Sequence, residues 1–208
     1  MVDYAHFRNC LRDPCSCEIR RYWLIFLVAL LIFGIELVGG LWSGSLALLS
    51  DAGHVFADKI AIISSIVIES AIYRDQQRKT RWRHVGAYIN AALLLAVAIW
   101  LGFEAVARFQ KPQEILGAVV IPVAVVGMAL NYLQYRILKP VANTHLTSKG
   151  MHLHILSDIW QSSGVIVAGI LMLCTGSAIF DLIVSAVIAI GMTVGALRLI
   201  TVTEKHEN

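Results

Sequence analysis

The chain contains 208 residues, of which 58% are hydrophobic and only 15% are charged. Soluble domains average roughly 45–50% apolar and about 25% charged residues, so this composition excludes a soluble enzyme. The apolar residues also occur in long uninterrupted runs, which excludes a disordered or nucleic-acid-binding chain. The formal net charge of +3 decides little, because the distribution of the charges matters more than their total. We interpret the chain as an integral membrane protein.

Six apolar segments are long enough to cross a membrane, since a helical span needs about 20 apolar residues. They run over Tyr22–Leu41, Leu46–Tyr73, Val85–Ala107, Ile115–Leu138, Gly150–Cys174 and Ile179–Ile200. The connections after the first and fifth segments are very short, so each of these pairs is expected to form an antiparallel hairpin. The sequence thus predicts an all-α membrane protein. A six-helix transmembrane domain (residues 22–200) lies between an N-terminal tail (1–21) and a short C-terminal tail (201–208).

The distribution of Lys and Arg predicts the orientation of the spans. The N-terminal tail carries four of these residues, the second connection five, the fourth connection three and the C-terminal end two. The opposite side carries only Arg108 and Lys111. Because positive charge is enriched in cytoplasmic loops, both termini are expected to be cytoplasmic, in a multi-pass protein of the inner (plasma) membrane. The first 21 residues contain no apolar stretch that resembles a secretory signal peptide.

Two ionisable pairs inside the second and fifth spans share one pattern. His54 and Asp58 are four residues apart, and so are His154 and Asp158. Spacing of four puts both side chains of a pair on one helix face, and the two spans run in opposite directions. Side by side, each histidine therefore comes level with the aspartate of the other pair. Two imidazoles and two carboxylates suit tetrahedral coordination of a divalent ion such as zinc. The alternative is that each pair forms a hydrogen bond within its helix or pairs with another buried charge.

Further ionisable side chains lie in or near the spans, where charge is costly and a functional role is the default hypothesis. Asp51 lies about one turn before the first histidine and is expected either to line an exit path or to cap the start of its helix. Lys59 follows the first aspartate, and a step of one residue turns it about 100° away. We expect Lys59 to pair with Glu36 or another acid. His152, near the start of the fifth span, is a secondary candidate for a metal ligand.

The N-terminal tail offers a possible second group of metal ligands. It contains His6, Cys10, Cys15 and Cys17. Deprotonated thiolates are good ligands for soft metals, so a cytosolic cluster of this kind would deliver ions to the spans. The spacing matches no recognised zinc knuckle, however, and unpaired cytosolic thiols are common. Both interpretations stay open.

Gly191 and Gly195 form a GxxxG pattern in the sixth span. Small residues at this spacing let two helices approach closely. We expect this packing to occur within the chain, in preference to the seam of a homodimer.

The stretch SGSLALLSDAGHVFAD (43–58), together with HILSD (154–158) and SSGV (162–165), resembles the cation diffusion facilitator, or zinc transporter, family. The resemblance covers essentially all six spans. Weaker single matches are Glu36, Gly40, Asn90, Asn131, Asp181 and Ser185. The resemblance implies a secondary transporter that exports divalent cations, usually zinc, from the cytoplasm in exchange for protons. It implies a transport site made of His54, Asp58, His154 and Asp158.

Members of this family usually carry a cytoplasmic C-terminal domain that binds regulatory metal and helps dimerisation. This chain ends before such a domain, so a homodimer is expected to depend on the spans alone. Three alternatives stay open. An intramembrane metalloenzyme would need a general base motif such as HExxH, which the sequence lacks. A membrane metal sensor or accessory protein would bind zinc without moving it, and an exporter of cadmium, cobalt, nickel or iron would share the same ligands.

Overall fold

Six α-helices form the part of the chain that the structure describes. The computed structural model describes residues 16–74, 79–139 and 146–205. The helices are α1 (Ser16–Ser43), α2 (Leu46–Arg74), α3 (Lys79–Gln110), α4 (Gly117–Leu138), α5 (Leu146–Thr175) and α6 (Ile179–Lys205). Each apolar segment of the sequence corresponds to one helix, and several helices continue past it into polar turns. The all-α prediction is therefore confirmed.

Five of the described helices are long and apolar enough to cross a membrane. They cover Arg20–Ser43, His84–Gln110, Gly117–Leu138, Met151–Thr175 and Ile179–Thr201. The other helix, α2, has a length of 29 residues but carries Asp51, Asp58 and Lys59 in its interior. Large apolar side chains such as Phe103 and Trp160, each 74% exposed, point outward from the helices, as expected of a surface in contact with lipid. The sixth span, through α2, stays a prediction.

Both short connections are tight turns built on a glycine. Gly44, between α1 and α2, has a φ of 72°, and Gly176, between α5 and α6, has a φ of 69°. A side chain with a Cβ is strained in this left-handed region, whereas glycine is not. In each case the flanking helices pack against one another. The two hairpins predicted from the short connections are confirmed.

The helices pack around one main apolar core. α4 packs most extensively against α5, and α3 against α6, while α1 lies against α4 and α2. The core contains residues from α2 to α6, among them Leu48, Leu101, Val120, Val165 and Met192. In contrast, α2 and α5 touch one another over few residues. This sparse packing leaves room for a cavity between the two helices that carry the predicted ligands.

The two ends of the bundle differ in how tightly they are joined. The sealed end is the end of the bundle at which α2, α4 and α6 begin. The open end is the opposite one, at which α1, α3 and α5 begin. At the sealed end the N–H of Leu116 donates to the carbonyl of Ser43 at 2.9 Å. The Arg108 guanidinium donates to the carbonyl of Gly44 and forms an ion pair with Glu104 at 2.8 Å. The turn between α1 and α2 is thus fixed to α3 and to the start of α4.

Asp181, in the first turn of α6, also fixes the start of α2. Ser45 Oγ donates to Asp181 Oδ1 at 2.6 Å, and the N–H groups of Leu46 and Ala47 donate to Oδ2 and Oδ1 at 2.7 and 3.2 Å. The first N–H groups of a helix have no partner within the helix, and a carboxylate there also interacts favourably with the helix dipole. The position of α2, and of its site residues, is therefore set from α6.

The expectation that Gly191 and Gly195 pack within the chain is wrong. A Cβ at either glycine would meet no atom within 4 Å, and both residues are exposed. The face of α6 that packs inward carries Ile188, Met192 and Ala196 instead. In the described part of the chain, the GxxxG pattern therefore lies on the outer surface of the bundle.

Candidate metal centre

The two HxxxD pairs face each other between α2 and α5. Nε2 of His154 lies 3.1 Å from Asp58 Oδ2 and 3.7 Å from Asp158 Oδ2. Nε2 of His54 lies 3.5 Å from Asp58 Oδ2 and 3.8 Å from Asp158 Oδ1. The centroids of the two imidazole rings are 5.6 Å apart. The structure brings the four side chains together, and their role as metal ligands stays a prediction.

The chemistry of these four side chains fits a divalent cation. One donor atom each from His54, Asp58 and His154 lies within 4.8 Å of the others, and Asp158 borders the two imidazoles with its two different oxygens. Among the described atoms, His54 Nδ1 and Asp158 Oδ1 are buried without a hydrogen-bond partner. Buried polar atoms nearly always have a partner. Imidazole nitrogen and carboxylate oxygen are ordinary zinc ligands, so a bound ion would satisfy this set.

A cavity of about 150 Å³ extends from the open end to three of the four side chains, Asp58, His154 and Asp158. Its lining includes Tyr22, Gln134 and Met151 near that end, and Asp58, His154 and Asp158 at depth. The exposed fraction of the side chain falls from 38% at His154 to 22% at Asp58, 16% at His54 and 9% at Asp158. An ion is therefore expected to enter past His154 and to reach Asp158 last.

A hydrogen-bonded polar layer closes the site on the side of the sealed end. Ser162 Oγ donates to Asp51 Oδ2 at 3.3 Å and accepts from Asn131 Nδ2 at 3.3 Å. None of the three residues is more than 2% exposed. Asp51 takes no part in the cap of α2, which Asp181 provides, so the capping expectation for Asp51 is wrong. Its place on an exit path stays a prediction.

Lys59 lines the same cavity, and its ammonium group interacts electrostatically with Asp58 and Asp158. The expectation that Lys59 pairs with Glu36 or another acid is therefore met by the two aspartates and not by Glu36, whose carboxyl oxygens have no hydrogen-bond partner among the described atoms. Lys59 therefore places a positive charge close to the site, which would partly offset the charge of the two carboxylates.

The secondary candidates for metal ligands lie apart from the site or outside the described residues. The His152 ring lies beside the Tyr135 ring, with the centroids 5.0 Å apart, and His152 is not among the described residues that group around a possible ion. His6, Cys10 and Cys15 lie outside the described residues, and so does the side chain of Cys17. Metal capture by the N-terminal tail stays a prediction.

Two residues that position the site have no such role in the sequence-based predictions, in which Ser162 stands only within the SSGV segment (162–165). Ser162 orients Asp51, and its position four residues after Asp158 was an available signal, since this spacing places it on the same helix face as the ligand pair. Asp181 was noted only as a single match to the family. Nothing in its spacing indicates a contact with α2, because 135 positions separate it from Leu46.

Comparison with known proteins now identifies the family. Residues 22–203 match the family model described as the cation efflux transmembrane domain. The chain belongs to the cation efflux family. The resemblance inferred from the HxxxD segments is thereby confirmed, and the chain is a multi-pass protein of the inner membrane. The family is one of transporters and not of enzymes.

Curated relatives are about one-third identical to the chain over the residues that align. The zinc transporter ZitB of Yersinia pestis is 34% identical over 191 residues, which cover 87% of this chain and 60% of that protein. The cadmium, cobalt and zinc/H(+)-K(+) antiporter of Bacillus subtilis is 32% identical over 163 residues, which cover 75% and 52%. The metal cation efflux system protein CzcD of Cupriavidus metallidurans is 33% identical over 160 residues, which cover 74% and 51%. The chain thus spans only about 50–60% of the length of these relatives.

Proposed function

We propose that this chain exports divalent metal cations, zinc foremost, from the cytoplasm in exchange for protons. The observation that carries the proposal is the meeting of two imidazoles and two carboxylates at the bottom of a cavity that opens at one end of an apolar helix bundle. The relatives named as zinc transporter and as cadmium, cobalt and zinc antiporter support the same class of substrate.

In the proposed mechanism, His54, Asp58, His154 and Asp158 hold the ion at one site that is open alternately to either side of the membrane. The open end faces the cytoplasm, in agreement with the excess of Lys and Arg there. Neutral imidazoles and ionised carboxylates bind the ion, and binding displaces protons because both compete for the same lone pairs. After the site opens to a more acidic exterior, protonation of a histidine, whose ordinary pKa is about 6.5, expels the metal.

The test is zinc transport by the full chain in sealed lipid vesicles. Purified protein is reconstituted, and zinc uptake is followed with an entrapped fluorescent indicator while a second dye reports the internal pH. We expect uptake that is driven by an opposing proton gradient. A metal sensor or accessory protein would bind zinc without carrying it, so binding without uptake would contradict the proposal. Competition with cadmium, cobalt, nickel and iron then ranks the substrates.

Replacing His54 with aspartate is expected to keep transport but to weaken the preference for zinc. Three carboxylates and one imidazole make a harder and more negative site, and hard cations prefer oxygen ligands. Manganese and cadmium should therefore compete with zinc better than in the parent. One imidazole fewer should also lessen the inhibition of uptake as the pH falls from 8 to 6. Competition flux across this pH range measures both effects. An unchanged metal preference together with an unchanged pH profile would mean that His54 does not touch the ion.

We further propose a homodimer held by the exposed Gly191–Gly195 face of α6. This face carries Val187, which is 64% exposed, and no other helix of the described chain covers the two glycines. The variant Val187→Cys is expected to form a cross-linked dimer in native membranes, and a further Gly191→Leu substitution should reduce the yield because close approach needs a small residue. Cross-linking of the parent chain is the control, because it measures what the chain's own cysteines contribute. Finding only monomers would overturn the dimer.

A further inference from the structure

Glu36 of α1 is a buried carboxyl group that the proposed transport site does not use. It is 0% exposed, and among the described atoms neither of its oxygens has a hydrogen-bond partner. Charge inside a membrane-spanning bundle is costly unless it is compensated. The fold nevertheless makes space for this group, because a Cβ at Gly127 of α4 would lie 2.6 Å from Glu36 Oε1. Glycine at this position allows the carboxyl group to lie against the backbone of α4.

The Glu36 carboxyl group has a second carboxyl group as its neighbour. That of Asp51 interacts with it electrostatically, and Ser162, itself held by Asn131, orients Asp51 from the other side. Two carboxylates are both acceptors, so their contact is satisfied only when a cation or a proton lies between them. At the sealed end, the buried cation Arg108 is already engaged with Glu104 and Gly44. A carboxyl pair on α1 and α2 is thus positioned by residues of α4 and α5, and no lysine or arginine among the described residues forms an ion pair with it.

The pair lies on the path from the four-residue site to the sealed end. Asp51 is three residues before His54 on α2, and Ser162 is four residues after Asp158 on α5. Both displacements correspond to about one helical turn toward the sealed end. Asn131 contributes to the cavity lining and to the polar layer alike. An ion that leaves the four-residue site toward the sealed end therefore meets Glu36 and Asp51 next.

We propose that Glu36 and Asp51 form a second binding site for the divalent cation, occupied after the four-residue site on the way to the sealed end. This inference rests on the proposed function. The second site offers oxygen donors alone, which hold zinc less tightly than imidazole nitrogens do and accept harder cations. A weaker site beyond a stronger one suits conduction, because an ion must bind well enough to enter and weakly enough to leave.

Metal binding to a chain that lacks the first site tests this inference directly. In the variant Asp58→Asn/Asp158→Asn, Mn²⁺ binding is measured by electron paramagnetic resonance on detergent-purified protein. We expect about one Mn²⁺ per chain, and a further Glu36→Gln substitution should lower the affinity by at least about tenfold because ligand charge sets the affinity of an oxygen site. Equal Mn²⁺ binding with and without Glu36→Gln would overturn the second site. A carboxyl pair that merely shares a proton would give that result.

A second substitution, which keeps every charge, tests whether misfolding causes the loss of Mn²⁺ affinity. Gly127→Ala places a methyl group where the Glu36 carboxyl group lies and should reduce Mn²⁺ affinity in the same background. Ser50→Ala is the matched control, because Ser50 is fully buried beside Asp51 and donates only to the carbonyl of Leu46 within α2. It should leave Mn²⁺ affinity unchanged. Equal losses in Gly127→Ala and Ser50→Ala would assign the effect to packing and overturn the site.

Zinc flux separates a failure of this inference from a failure of the proposed function. In the otherwise unchanged chain, Glu36→Gln should lower zinc flux by at least about tenfold while zinc affinity at the four-residue site changes less than about threefold. If the parent chain carries no zinc, the proposed function fails. If the parent carries zinc and Glu36→Gln carries it equally fast, the second site alone is refuted.

Discussion

Replacing either Asp58 or Asp158 with asparagine is expected to lower zinc flux by at least about 100-fold, since even the loss of a group that merely supports a ligand lowers metal affinity 10–100-fold. Asp158 is the deepest of the four side chains, and its two oxygens border both imidazoles. Asp58 Oδ2 likewise lies between both histidines, at 3.1 and 3.5 Å. An amide removes one of the two negative charges that would compensate a bound dication, and lipid supplies none in its place.

The measurement is zinc uptake into vesicles, normalised to the amount of correctly folded protein. Asparagine preserves the shape of the side chain, so insertion and folding should be unaffected. Ser163→Ala is the matched control on α5, because Ser163 Oγ donates to the Ile159 carbonyl at 2.7 Å and belongs to neither polar site. Uptake near the parent rate by either aspartate variant would refute the site.

Replacing Asp181 with alanine is expected to destabilise the bundle by about 2–4 kcal/mol, through the loss of a helix cap and of charge-assisted hydrogen bonds. The substitution leaves the N–H groups of Leu46 and Ala47 and the hydroxyl of Ser45 without their buried acceptor. Asp181 is 0% exposed, so water does not reach the vacated position without a rearrangement. The start of α2 should fray, and the two HxxxD pairs should then lose their alignment.

Equilibrium unfolding in mixed detergent and dodecyl sulfate micelles measures the loss of stability. Ser185→Ala provides the comparison, since Ser185 is similarly buried one turn further along α6 and donates only to the Asp181 carbonyl at 2.7 Å. Ser185→Ala should lower the free energy of unfolding by less than about 1 kcal/mol, the usual contribution of a single neutral hydrogen bond. Equal destabilisation by both variants would show that the cap contributes nothing beyond local packing in α6.

Local features of the sequence predict the helices, and they also predict that the two HxxxD pairs face each other. Long apolar runs specify helices, and Gly44 and Gly176 stand where the chain has too few residues for anything but a tight turn. Spacing of four fixes which side chains share a face, and the antiparallel course of α2 and α5 then brings His54 to Asp158. These inferences need only the period of a helix and the direction of each span.

The remainder depends on how helices rotate about their axes, which the sequence of a membrane protein specifies poorly. In a soluble helix the polar face points to water, but here the lipid-facing and core-facing sides are both apolar. The inward packing expected of Gly191 and Gly195 was wrong for this reason. The same uncertainty concealed the neighbours of Glu36 and the cap that Asp181 makes, since each joins residues from helices far apart in the chain.

The distribution of ligands between α2 and α5 has a consequence for the cohesion of the molecule. The connection 111–116 divides the chain into two three-helix halves, and each half contributes one histidine and one aspartate to the proposed site. Two ligands alone would hold an ion weakly, so an ion bound by all four acts as a cross-link between the halves. It stabilises their association by mass action, to an extent set by its concentration relative to its dissociation constant. During transport, the bound ion would thus contribute to the stability of the protein that carries it.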